Sequence, residues 1–224
     1  MSSLITFTGH DGSQVTGEMT FPHGEGPAPG LVLVQEWWGL NDHIRDLAKR
    51  FAAAGFITLA PDLYHGKVAQ NEAEAMALMT ALDGKQALAD ITTATHHLLG
   101  HARVNGKIGV TGFCLGGAYT FTAATRIPEI SAAVPFYGIP PAGRADYTQA
   151  KPIMAHFAVR DNWATVAGAE AVKREVDAAG GSMVLHVYDA DHAFMNDTRP
   201  DVYSPENARI AWERTITFLH QHLG

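Results

Sequence analysis

Lys107-Ile108-Gly109-Val110-Thr111-Gly112-Phe113-Cys114-Leu115-Gly116-Gly117 is the stretch on which the fold turns. Its first five residues read as a short strand, and a helical pattern continues from Leu115 to about Arg126. Between them Gly112-Phe113-Cys114-Leu115-Gly116 is a G-x-nucleophile-x-G pattern with cysteine in place of the usual serine. That pattern requires a sharp strand-to-helix bend, on which the side chain stands clear of the sheet and the helix N-terminus faces the reacting atoms. A free cysteine is more often a small buried hydrophobe, but the strand before and the helix after favour the nucleophile reading. GFCLGG is neither a G-x-G-x-x-G turn nor a phosphate loop ending in Lys-Ser/Thr.

Outward from this bend, short apolar runs alternate with helical patterns, as in a mostly parallel sheet. Upstream, 3–8 and 15–21 read as edge strands around a turn at Gly9-His10-Asp11-Gly12. Residues 30–35 (GLVLVQ) read as a strand buried on both faces. A helix is predicted from about Asp42 to Ala54, with Ile44, Leu47, Ala48 and Phe51 on one side and Gly55 as its stop. Phe56–Ala60 is the next strand, and 68–82 and 85–100 are helices. Downstream, strands are predicted at 131–136, 152–159 and 182–188, with a helix over about 165–179. Ser204-Pro205 opens a last helix that carries Ala208, Trp212, Ile216 and Leu219 at helical spacing. The pattern predicts an α/β fold: a mostly parallel, twisted central sheet with helices on both faces. No repeat or linker divides the chain, so one domain over 1–224 is expected.

With 46% apolar and 17% charged residues the chain suits a compact enzyme rather than a disordered segment. Its formal charge of −7 and lack of clustered cations argue against nucleic-acid binding. The first residues lack the basic start and apolar run of a signal peptide, and no segment reaches the ~18 apolar residues of a membrane span. A single cysteine excludes an intramolecular disulfide. A cytoplasmic protein with no membrane partner is expected.

On a G-x-nucleophile-x-G fold the acid and then the histidine follow in loops after strands. Downstream of Cys114, His156 and His186 fall inside predicted strands, and His220 and His222 fall on the terminal helix. His192 alone falls at the end of the last strand, which makes it the candidate base. Asp161, just past the strand 152–159, is the favoured acid, placed to hold the imidazole in its working tautomer. Asp189 and Asp191 are rivals; so near His192 in sequence, their ordinary reading is a turn-forming pair. The backbone N–H groups of Leu115 and Trp37 are the candidate oxyanion donors. Glu36 beside Trp37 has the ordinary reading of a solvated loop carboxylate, and the tryptophans that of core packing. No H-E-x-x-H or Cys/His cluster occurs, so neither a metal nor a cofactor is expected.

Gln35-Glu36-Trp37-Trp38-Gly39, Ala60-Pro61-Asp62-Leu63-Tyr64, Gly112-Phe113-Cys114-Leu115-Gly116-Gly117, His156-Phe157 with Asp161, and His192-Ala193-Phe194 stand in order along the chain. In this combination it resembles the dienelactone hydrolase (carboxymethylenebutenolidase) family over nearly its whole length. The resemblance implies the α/β-hydrolase fold and hydrolysis of a small-molecule lactone or ester through a thioester on Cys114, with Glu36 touching the thiol to help generate the thiolate. Family members that act on dienelactone hold its carboxylate with arginines, one of them four positions after the catalytic histidine. Here that position is Asn196, and 65–84 offers only Lys67 as a cation. Arg199 is the nearest substitute, with a solvated turn as its ordinary reading. Trp38, Tyr64, Phe194, Asn196 and Arg199 are the candidate substrate-binding residues, and a monomer or weak homodimer is expected. A promiscuous aryl-esterase or phosphotriesterase on the same triad stays open, as does a catalytically silent binding protein. A thiol redox role lacks a resolving cysteine.

Overall fold

The computed structural model describes residues 2–9 and 12–224. The chain runs β1 (Ser2–Thr8), β2 (Gln14–Thr20), β3 (Ala28–Val34), α1 (Asp42–Ala53), β4 (Ile57–Pro61), α2 (Glu72–Ala81) and α3 (Gly84–Leu99). It continues through β5 (Val104–Phe113), α4 (Leu115–Arg126), β6 (Ile130–Phe136), a 3-10 turn (Tyr147–Gln149), β7 (Ile153–Arg160), α5 (Val166–Ala178), β8 (Met183–Asp191) and α6 (Pro205–Leu223). The strands form one sheet in the order β1-β2-β4-β3-β5-β6-β7-β8. The β1–β2 and β2–β4 pairs are antiparallel, and every pair from β4 to β8 is parallel. This is the α/β-hydrolase fold. Of the turn expected between β1 and β2, His10 and Asp11 lie outside the described residues.

Alternation along β3 divides the core. Val32 and Val34 pack with Ile91, Leu98 and Phe121 on one face. Leu31 and Leu33 pack with Ile44, Leu47, Phe51 and Leu219 on the other. Every residue of β3 is buried, which is why the strand reads as a continuous apolar run. Helix α1 starts where Asn41 accepts a hydrogen bond from the Ile44 N–H at 3.1 Å, and it places Asp42 and Arg50 favourably at its two ends. Burial of Leu47 and Phe51 contributes roughly 2 kcal/mol each.

Strand β5 is longer than expected at both ends, and two further elements differ for reasons the contacts explain. Helix α2 begins at Glu72 rather than 68, because Asn71 accepts the Glu74 N–H at 3.0 Å and the Glu74 carboxylate accepts the Gln70 N–H at 2.9 Å. That reciprocal cap fixes the first turn. Strand β8 runs on to Asp191, so Asp189 and Asp191 are strand residues and not a turn pair. Both carboxylates pair with Arg160 of β7, with Asp191 bound through Nε and Nη2 at 3.2 Å each.

The carboxyl ends of β3, β5, β7 and β8 lead directly to Glu36, Cys114, Asp161 and His192. Ligand sites of open parallel sheets form at this edge. Among the described residues no helix is long and apolar enough to cross a membrane.

Candidate active site

Cys114 separates β5 from α4 and has φ +56° and ψ −115°, a left-handed setting that costs a non-glycine residue of order 1–3 kcal/mol. The surroundings enforce it. A Cβ on Gly112 would stand 2.4 Å from the Gly116 carbonyl oxygen, and one on Gly116 would stand 2.3 Å from the Val34 oxygen. Strand, helix and the end of β3 therefore close on one another only because these positions carry no side chain. The Cys114 N–H donates to the Phe136 carbonyl of β6 at 3.1 Å, fixing the bend to the sheet. Phe113 and Gly116 are buried, whereas Cys114 is partly exposed. As the first residue of α4, Leu115 carries an N–H with no acceptor one turn back in the helix.

His192 follows β8 directly. Its Nδ1 lies 2.6 Å from Asp161 Oδ2. The other carboxylate oxygen accepts the N–H groups of Trp163 and Ala164 at 2.8 and 2.9 Å, so Asp161 cannot rotate away, and it is 4% exposed. With Asp189 held by Arg160, Asp161 is the carboxylate that meets the ring. Burial opposes a charge on His192. The hydrogen bonds to Asp161 and Cys114, and the charges of both partners, outweigh burial and push the ring up to about 10. A protonated His192 is the partner that a thiolate at Cys114 requires. The turn after it is tight, with Ala193 at φ +66°.

Glu36 and Trp37 sit in a turn closed by Gly39 N–H to Glu36 O at 3.2 Å. Gly39 has φ +98°, and a Cβ there would meet the Lys67 carbonyl at 2.7 Å. Glu36 is 1% exposed, not a solvated loop carboxylate. Its Oε2 accepts the Asn196 side-chain N–H at 2.9 Å, and its Oε1 has no hydrogen-bond partner among the described residues. The Asn196 oxygen is itself occupied by the Thr198 N–H and hydroxyl, at 3.1 and 2.6 Å. Its NH₂ thus has to face Glu36.

A cavity of about 230 Å³ opens beside Cys114 and His192, with Glu36, Trp37 and Trp38 in its wall. Arg199 also lines it, its guanidinium 5.9 Å from the Trp38 ring centre and 3.0 Å from Asp201. Of the remaining expected substrate-binding residues, Asn196 lines an adjoining pocket with Trp38, Glu72 and Arg199, and Phe194 and Tyr64 do not line either cavity. Phe194 is fully buried against Tyr137 and Tyr188. Asn196 is turned to Glu36. Tyr64 is buried, and burial first, then Cys114 and Tyr119, raises its hydroxyl above the usual value. Sequence reasoning missed Glu72, Met79, Trp163 and Val202, which complete the wall. Only Trp163 carried a signal, standing two residues past the candidate acid.

Comparison with known proteins identifies the family. The model of the dienelactone hydrolase family matches residues 15–223. "Protein usf" of Aquifex pyrophilus is 35% identical, and "Putative carboxymethylenebutenolidase" of Aquifex aeolicus is 31% identical, each over the full length of both chains. Among solved structures, the crystal structure of "Putative Dienelactone Hydrolase" from Klebsiella pneumoniae subsp. pneumoniae superposes with a TM-score of 0.89 at 26% identity, covering 99% of this chain and 98% of that one. A bend that raises Cys114, a histidine and carboxylate at the neighbouring strand ends, and a family match along nearly the whole chain lead to one assignment: this chain belongs to the dienelactone hydrolase family and is a dienelactone hydrolase-like hydrolase.

Proposed function

We propose that the chain, acting as one domain over 1–224, is a cysteine hydrolase that opens a lactone or carboxylic ester through a thioester on Cys114. The observation that carries this reading is the 2.6 Å hydrogen bond of His192 to Asp161, with His192 and Cys114 lining one cavity at the N-terminus of α4.

The Cys114 thiolate attacks the carbonyl carbon, and the oxyanion forms within reach of the Leu115 and Trp37 N–H groups. Collapse breaks the ester C–O bond, and His192 donates its proton to the leaving alkoxide. A water molecule then attacks the thioester, passes a proton to His192 and releases the acid with return of the thiolate. Asp161 holds the ring throughout, and the unpartnered Oε1 of Glu36 is available to take the thiol proton when the nucleophile is generated.

Within this class the cleft favours neutral carbonyl groups over a carboxylate-bearing lactone. Its one arginine is already paired with Asp201, and Asn196 turns its NH₂ to Glu36 instead of the cleft.

The test is a turnover panel of a dienelactone, a neutral lactone and p-nitrophenyl esters, with acid-quenched samples read by mass spectrometry. The expected result is an acyl adduct on Cys114, turnover of the neutral substrates, and complete loss in Cys114→Ala and His192→Ala with the fold retained. Wild-type ester turnover in either variant would refute the assignment.

A further inference from the structure

The wall of the cleft that Cys114 lines is aromatic and acidic. Trp37 meets Trp38 edge-on at 5.2 Å between ring centres, inclined at 66°, and lies 6.2 Å from Trp163 at 56°. Three indoles inclined to one another thus border the same cavity. The Glu72 carboxylate, on the first turn of α2, lines it as well. Arg199 is the only lysine or arginine in the wall among the described residues, and its charge is balanced by Asp201 at 3.0 Å. The guanidinium stands 5.9 Å from the Trp38 ring centre, within the range of a cation–π contact.

Indole faces carry negative electrostatic potential and bind alkylammonium groups, most strongly when several rings converge and water is displaced. A carboxylate beside them adds Coulombic attraction. A chain of formal charge −7 also draws cations towards a focused cleft. The same features repel a carboxylate.

From these observations we infer that the outer part of the cleft is a cation subsite, formed by Trp37, Trp38, Trp163 and Glu72, which selects esters or lactones bearing an ammonium group away from the reacting carbonyl. This deepens the hydrolase reading and rests on it for the word substrate; binding at the subsite does not depend on the chemistry at Cys114.

The experiment therefore reads binding without turnover. Phenyltrimethylammonium, its neutral isostere tert-butylbenzene and the anion phenylacetate are titrated into the wild-type protein, and tryptophan fluorescence is followed. The cation is expected to bind about three- to tenfold more tightly than the neutral isostere, with phenylacetate weakest. Glu72→Gln should bring the cation close to the neutral compound. Trp163→Ala, at a position 70% exposed and thus tolerant of change, should weaken the cation at least threefold. Equal affinity for cation and isostere, tightest binding of phenylacetate, or an unchanged affinity in Glu72→Gln would overturn the inference. Such a failure would leave acylation of Cys114 untouched. Absence of the acyl adduct, with cation binding intact, would instead remove the hydrolase reading alone.

Discussion

Replacing Asp161 by asparagine separates the geometry of the triad from its electrostatics. The backbone N–H groups of Trp163 and Ala164 both point at Oδ1. An asparagine must therefore keep its carbonyl oxygen on that side and turn its NH₂ towards His192 Nδ1. The ring can then only accept at Nδ1, and its proton moves to the nitrogen that faces Cys114. In that tautomer a neutral His192 presents an N–H and no lone pair to Cys114, so the imidazolium that pairs with the thiolate is disfavoured, and the charge that helps hold the ring up to about 10 is gone as well. A triad aspartate changed to asparagine costs about 10⁴-fold in kcat where serine is the nucleophile. A thiol depends less on its base, so a loss of about 10³- to 10⁴-fold is expected here, equivalent to about 4–5 kcal/mol in the barrier. Stopped-flow acylation by a p-nitrophenyl ester measures it directly, and iodoacetamide labelling of the single cysteine as a function of pH gives an independent reading. Circular dichroism should remain that of the wild type. An acylation rate above one tenth of wild type in Asp161→Asn would refute the argument, since it would mean that the ring needs no orientation by this carboxylate.

Three further outcomes follow from the same contacts. Gly116→Ala puts a Cβ 2.3 and 2.6 Å from the backbone oxygens of Val34 and Gln35; a cost of about 3 kcal/mol is expected, seen as a Tm fall of roughly 6–12 °C, and an unchanged Tm would show that the bend has slack. Asn196→Asp keeps the acceptor for Thr198 but sets a second carboxylate against buried Glu36, and should cost at least about 2 kcal/mol in urea unfolding at pH 8, with a smaller loss at pH 5 if like charge is the cause. Stability should also depend on pH at both ends. Folded His192 keeps its proton up to about pH 10, whereas an unfolded histidine loses it near 6.5, so its contribution is complete below about pH 6.5 and fades as pH rises towards 10. His156 has the opposite sign: burial first, then His186 and Arg214, hold it well below the usual value, so the unfolded chain gains a proton below about pH 6.5 and stability falls in acid. Urea midpoints from pH 5 to 10 check both arms, and a flat profile contradicts them.

The strands and most helices were legible because the sheet from β4 to β8 is parallel and covered on both faces, so its strands are apolar runs bounded by turn residues. The bend at Cys114 was legible because it needs glycines at fixed offsets. What depends on pairing between distant segments was not. The extension of β8 through Asp191 is secured by Arg160 of β7, and no local pattern in Tyr188-Asp189-Ala190-Asp191 announces it. The start of α2 at Glu72 lies in the reciprocal contact of Asn71 and Glu74, which an apolar-periodicity reading overlooks. Phe194 was expected in the cleft since it neighbours its motifs, yet a large apolar ring just past a strand gains more by filling the core. The cleft wall itself is assembled from α2, the turn before α5 and the segment 199–202, segments whose meeting is a property of the whole fold.

This division has a physical consequence. The groups assigned to the chemistry stand on or directly beyond β3, β5, β7 and β8, in a layer that tolerates strained backbone at Cys114 and Ala193 because a strand ends just before each bend and the fully buried rings of Phe113 and Phe194 anchor the chain beside it. The groups proposed to meet the rest of a substrate stand on α2, on exposed Trp163 and on Arg199, at the border of the cavity. Bond cleavage demands positioning to a fraction of an ångström, whereas selection between a cationic and an anionic tail needs only a change in the sign of charge several ångströms away. Asn196 marks the border between the two layers. Its amide is committed to Glu36, so a charge placed there would disturb the nucleophile's neighbour as well as the substrate, while Glu72 is free to change specificity without touching the triad.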